Sequence, residues 1–150
     1  MQHLNLPEAD LRLRRDPDGV VKVYDNQRRM WLVLTPEEWV RQNFVSYLIN
    51  HKGYPTSLIA NEYTINLNGT VKRCDTVVFD TELHPVLIVE YKAPSVEITR
   101  EVFNQIGRYN VVLGVDNLVV SNGLRHYACH HGEDSVWRFL TDIPSWNELT

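Results

Sequence analysis

Asp75, Glu90 and Lys92 are the residues of this 150-residue chain whose types and spacing could do chemistry. Glu90 and Lys92 interrupt the apolar run VLIVEYKAP at 86–94. Side chains alternate across a strand, so Val86, Ile88, Glu90 and Lys92 share one face and Leu87, Val89 and Tyr91 share the other. A face that begins as core and ends in an acid and a base needs compensation, because a lone buried carboxylate is costly to desolvate. The preceding run, VKRCDTVVFD at 71–80, offers a partner. If Asp80 and Pro85 close a four-residue loop, Phe79 faces Val86, Val77 faces Ile88 and Asp75 faces Glu90. Directly opposed residues hold their Cβ atoms about 4.5–5.5 Å apart, where like charges repel. Two carboxylates so placed suit a bridging Mg²⁺ or Mn²⁺ ion, with oxygen ligands about 2.1 Å from the metal and Lys92 beside it. The plain alternative is a Glu90–Lys92 ion pair at a strand end, with Asp75 bridged to Arg73 or Lys92.

The elements that must position these residues follow from pattern. Residues 12–34 read as a hairpin, VVKVY and MWLVL about a DNQRR turn. TPEE is a helix start, with Thr35 as N-cap, Pro36 in the first turn and Glu38 as the return partner of a capping box. Val40, Phe44, Tyr47 and Leu48 give that helix an apolar stripe up to about His51, before Gly53 and Pro55. LIANEYTINL and VKRCDTVVFD join through Asn68-Gly69, a favoured hairpin turn. A second helix covers about 99–114, its stripe formed by Ile98, Val102, Ile106, Asn110 and Leu113. NLVVSNG is a short strand and turn, and RHYACHH with SVWRFL make a last hairpin. Alternation of this kind gives an α/β fold with a mixed central sheet flanked by helices. The expected organisation is one domain over 1–150: a hairpin extension at 1–34, a core at 35–125, and a hairpin and tail at 126–150.

An Asp followed by an acid-x-Lys at the end of the next strand resembles the PD-(D/E)xK nuclease superfamily, with Cys74 where the motif's name has proline. TPEEWVRQ, RCDTVVFD, PVLIVEYKAP, QIGRYN and VVSNG, in that order, resemble the N-terminal nuclease domain of type I restriction-enzyme R subunits. The resemblance implies a restriction-endonuclease-like core and Mg²⁺- or Mn²⁺-dependent cleavage of DNA. It implies that Asp75, Glu90 and the Tyr91 carbonyl hold the metal, and that Lys92 acts on the attacking water or the phosphate. Gln105 and Tyr109 match the QxxxY element of RecB-type nucleases and share a helix face. Glu38 has two readings: families of this fold often place an acid on the first helix near the metal, yet a capping box explains it locally, and its spacing also permits pairs with Arg41 and Gln42. Arg41, Arg73 and Asn122 are candidates for contact with a nucleic-acid backbone, although SNG at 121–123 is chiefly a turn.

Composition bounds the function. A net charge of −4 argues against a general basic nucleic-acid binder, while leaving room for a site where a divalent cation offsets carboxylates. No apolar run approaches the length of a membrane span, and the first residues show no secretory signal. Two cysteines in a chain of this size read as reduced thiols and point to the cytoplasm. His126, His130, His131 and Cys129 fit no standard zinc spacing and read as surface histidines around a strand cysteine. No G-x-S-x-G elbow argues for a small-molecule hydrolase. No G-x-x-x-x-G-K-[ST] loop occurs either, so any ATP-driven motor, like a specificity subunit, is an expected partner alongside DNA. The rival to a working nuclease is a domain of the same fold used for DNA binding or assembly with little or no cleavage.

Overall fold

In the computed structural model, which describes residues 1–67, 69–134 and 136–149, the chain forms two sheets and two long helices. The first sheet contains β1 (Leu13–Arg15), β2 (Val21–Asp25) and β3 (Met30–Val33), all antiparallel. It replaces the single hairpin expected over 12–34. The added turn is Asp16-Pro17-Asp18-Gly19: the Gly19 amide donates to the Asp16 carbonyl (2.9 Å), and Gly19 takes φ 87°, which suits glycine. The chain thereby gains a third strand on the outer side of β2.

Helix α1 (Pro36–Lys52) starts as its sequence specifies. The Thr35 hydroxyl accepts the Glu38 amide at 3.1 Å, proline occupies the first turn, and Gly53 ends the helix at φ 75°. The second sheet follows in the order β4 (Ile59–Leu67), β5 (Thr70–Phe79), β6 (Pro85–Tyr91), β7 (Asn117–Ser121), β8 (His126–His131) and β9 (Trp137–Phe139). Only β6 and β7 pair in parallel, and α2 (Arg100–Leu113) lies between them in the chain, as a parallel crossover requires. A short α3 (Trp146–Leu149) closes the described chain. Asn68, half of the expected Asn68-Gly69 turn, lies outside the described residues.

The two faces of this sheet have separate cores. Val40, Phe44 and Leu48 of α1 pack with Val78, Leu87, Val89, Tyr91 and Val119. On the other face Leu113 packs with Ile65, Cys74, Val77 and Ile88, and Phe103 with Leu118, Val120 and Cys129. Strand β6 therefore alternates as read, with Leu87, Val89 and Tyr91 toward α1 and Ile88 toward α2. The buried face of α2 differs from the expected stripe: it is Phe103, Gly107, Asn110 and Leu113, with Val102 and Ile106 only half-buried. Phe103 offers the larger apolar surface, and it takes the place over β7 that was assigned to Val102. No helix among the described residues is long and apolar enough to cross a membrane.

Candidate active site

The β5–β6 register holds where the site needs it. Thr76 pairs with Val89, Val77 with Ile88 and Val78 with Leu87. Beyond Val78 a bulge shifts the register, so Phe79 faces Pro85 rather than Val86. The Asp80 carboxylate causes the tightening by accepting the Glu82 and His84 amides, both at 2.9 Å.

At the other end, Asp75 belongs to neither neighbouring ladder. On the β6 side the pairing runs only as far as Thr76↔Val89. On the β4 side Asn61↔Thr76 and Tyr63↔Cys74 are paired, and the Glu62–Asp75 position between them is skipped. Glu62 there adopts φ 55°, an uncommon conformation for a non-glycine residue. The Asp75 side chain replaces the lost ladder contact: its Oδ2 accepts the Tyr91 amide at 2.8 Å. Held this way, Asp75 adds both a negative charge and a hydrogen bond to the surroundings of Glu90. The two carboxyl groups therefore converge at the end of β6.

Glu90 is 8% exposed, and its carboxyl is pushed up to about 7. Burial is the largest cause, the Asp75 charge adds to it, and Lys72 opposes both. Lys72 forms an ion pair with Glu90 Oε1. Sequence reasoning missed Lys72 for a physical reason. On a regular strand it lies on the face opposite Asp75, but the irregularity at Asp75 turns the first half of β5 over. Cys74 and Val77, three apart, consequently share one core cluster. Burial, with the Glu90 charge next, raises the Cys74 thiol to about 12, so it is an inert core thiol. Lys92 follows β6 with its amide on the Ser121 carbonyl (2.9 Å); it is half-buried and has no ion pair among the described residues.

A polar layer behind the site ties it to α1 and the first sheet. Arg41 is buried, with its guanidinium 2.5 Å from Glu62, 3.2 Å from Glu38 and 4.0 Å from Asp75. Glu38 does not complete a capping box, because the Thr35 amide donates instead to Val33. Its carboxylate accepts from Arg41 and from Gln42 (2.9 Å), so Glu38 reaches Asp75 only through Arg41. Deeper still, Asp25 is fully buried. Burial raises its carboxyl, yet the Arg28 amide and guanidinium together with Gln42 outweigh that and leave it lowered. From Asp25 a chain of contacts runs through Asn61 (3.4 Å) and Thr76 (2.7 Å) to the Tyr91 hydroxyl (2.9 Å).

Of the three residues expected to meet a nucleic-acid backbone, Arg41 is committed to carboxylates. Asn122 is buried, accepting the Leu124 and Arg125 amides and donating to the Val96 carbonyl (2.8 Å). Only Arg73 presents its side chain to solvent, while also pairing with Glu62 at 2.8 Å. Gln105 is exposed on α2, and the side chain of Tyr109 lies outside the described residues. His126 is not a surface residue: it is half-buried between the Ser121 hydroxyl (2.6 Å) and the Asn5 carbonyl (2.8 Å).

The donor set has a definite chemical preference. Among the described residues no cluster of three or more His, Cys, Asp or Glu side chains is arranged to hold a metal. Two converging carboxylates and the Tyr91 carbonyl are hard oxygen donors, the type Mg²⁺ and Mn²⁺ prefer. The site has already drawn in the Lys72 ammonium, as a buried acidic pair that is favoured by positive charge should. These residues fit a divalent cation.

Comparison with known proteins agrees with this geometry at the level of fold and family. No curated protein matches the chain as a relative. A fragment assigned as an HsdR subunit of a type I restriction enzyme from Vibrio vulnificus YJ016 superposes with a TM-score of 0.56 at 20% identity, over 77% of this chain. This chain spans 24% of the length of that one. The family model described as Type I restriction enzyme R protein N terminus matches residues 36–144, which include α1 and every strand of the second sheet, so the chain belongs to that family.

Proposed function

We propose that this chain is a Mg²⁺- or Mn²⁺-dependent DNA endonuclease domain that hydrolyses phosphodiester bonds. The observation that carries the proposal is the convergence of Asp75 and Glu90 where β5 leaves both ladders. Asp75, Glu90 and the Tyr91 carbonyl hold the ion. Once bound, it supplies neutralising charge at the phosphate and a more acidic water. Lys92 orients that water or accepts its proton, and its charge faces the negative charge that develops on phosphorus. Its main chain is fixed by the Ser121 carbonyl, and its ammonium is not consumed by an ion pair among the described residues. DNA is the substrate, a motor or specificity subunit is the partner class that family membership suggests, and the cytoplasm is the compartment that suits two buried free thiols.

The test separates cleavage from binding. With Mn²⁺ or Mg²⁺ the protein should nick plasmid DNA, and Lys92→Ala should lower the rate at least about 100-fold. Calorimetry should show metal binding retained, because an ammonium is not a ligand. Cleavage that survives in Lys92→Ala removes this lysine from the mechanism. One observation favours a second reading, a domain kept for DNA binding or assembly: Lys72 and Arg41 already place positive charge beside both carboxylates. Wild-type protein that binds metal yet never cuts duplex, single-stranded or branched DNA supports that reading.

A further inference from the structure

Lys72 occupies the position from which a divalent cation would be coordinated. It lies on β5, 18 residues before Glu90 in the chain, and its ammonium pairs with Glu90 Oε1. Glu90 Oε1 cannot keep this contact while offering the same lone pairs to a metal. Both side chains are nearly enclosed, with 18% of Lys72 and 11% of Glu90 accessible, so the pair is poorly screened by solvent. On the far side of Asp75, Arg41 is held by Glu38 and Glu62 as well and cannot leave without abandoning them. Lys72 is on a long flexible stem near the start of its strand. The two cations are therefore unequal: one is fixed and the other is exchangeable.

We propose that Lys72 is the resident counter-cation of the metal-free site, and that metal binding is an exchange in which the Lys72 ammonium leaves Glu90 as the divalent ion arrives. The proposal rests on the reading of Asp75 and Glu90 as metal ligands. The exchange sets the affinity low when no substrate is present, because the ion must displace a cation that is already well placed. It also frees an ammonium beside the site at the moment the metal binds.

The experiment is calorimetric titration of the full chain with Mn²⁺. Lys72→Met should bind Mn²⁺ at least about tenfold more tightly than wild type, by removing both the competitor and its repulsion. Lys72→Arg, which retains a cation, should remain as weak as wild type, and Lys22→Met, far away beside Asp16, should leave the affinity unchanged. A measurement on unaltered protein accompanies these: the Lys72 Cε resonance should move during a Mg²⁺ titration with the same midpoint as the heat. If wild type binds Mn²⁺ and Lys72→Met binds equally or more weakly, or if the Lys72 resonance does not respond, the exchange is wrong and the metal site stands. If neither wild type nor Lys72→Met binds Mn²⁺, the exchange fails together with the metal reading itself.

Discussion

Glu90 and Asp75 were legible one residue at a time. Alternation placed Glu90 on the α2 face, and apolar matching set the register that brings Asp75 toward it. Their effect on one another has a measurable sign. Glu90 has a folded-state value of about 7 against an ordinary 4.5, so the folded protein holds this proton more tightly than the unfolded chain does. Metal-free stability should thus fall as pH rises between about 4.5 and 7, by on the order of 3 kcal/mol at full extent. Glu90→Gln mimics the protonated carboxyl and should flatten this dependence, matching wild type near pH 4.5 and exceeding it above pH 7. Urea denaturation in EDTA across that range checks it; parallel profiles for the two proteins would show that Glu90 is not the titrating group. Lys72 and Arg41 were not legible in the same way. A local break in strand parity turned one toward the site, and three carboxylates from α1, β4 and β5 buried the other. Neither cause leaves a mark in sequence spacing.

Among the elements, those with chemical punctuation were read well and those judged by apolar pattern alone were not. Thr35, Pro36 and Gly53 bound α1 as their chemistry demands, and Asp80 with Pro85 bounds the loop into β6. Along α2 there is no such punctuation near Val102 and Phe103, and packing against β7 chose the larger residue. The first sheet reveals a different gap. Its purpose depends on Asp25, which sits at the end of β2, where turn chemistry alone accounts for an aspartate. There it accepts from the Gln27 and Arg28 amides, from the Arg28 side chain, from Gln42 on α1 and from Asn61 on β4. One carboxylate thus joins the first sheet, the first helix and the second sheet. Asp25→Ala strands the Arg28 charge and several donors, and should cost about 3–5 kcal/mol. Asp25→Asn, which keeps an acceptor for the amides, should cost less. Hydrogen exchange locates the damage: protection should drop first in β2 and β3. Unchanged protection there, with stability lost elsewhere, would show that Asp25 does not anchor this sheet.

At the scale of the whole molecule, these contacts make the site a shared support rather than a decoration on one strand. Asp75 is linked through Arg41 to Glu38 and Glu62, and Glu38 lies 3.7 Å from Arg28, which holds Asp25. The Tyr91 hydroxyl reaches the same Asp25 through Thr76 and Asn61. A cation bound between Asp75 and Glu90 removes the repulsion at one end of this layer, so its binding energy should stabilise both sheets in a single transition. A ligand that binds only the native state stabilises it by about 2.7 kcal/mol at a hundredfold excess over its Kd. For a chain of 150 residues that corresponds to a rise in Tm of about 5–10 °C. Mn²⁺ should therefore raise the melting temperature of wild-type protein by that amount in one step, as followed by circular dichroism. Glu90→Ala removes a ligand and should melt at the same temperature with or without Mn²⁺. Without metal this variant should still fold, because the lost group was itself destabilised by burial beside Asp75. Equal shifts in wild type and Glu90→Ala would place the ion elsewhere on an acidic surface, where 19 carboxylate side chains offer weak alternatives. A wild-type transition that splits into two in Mn²⁺ would instead show that the layer does not couple the sheets, because only the second sheet would then feel the bound ion.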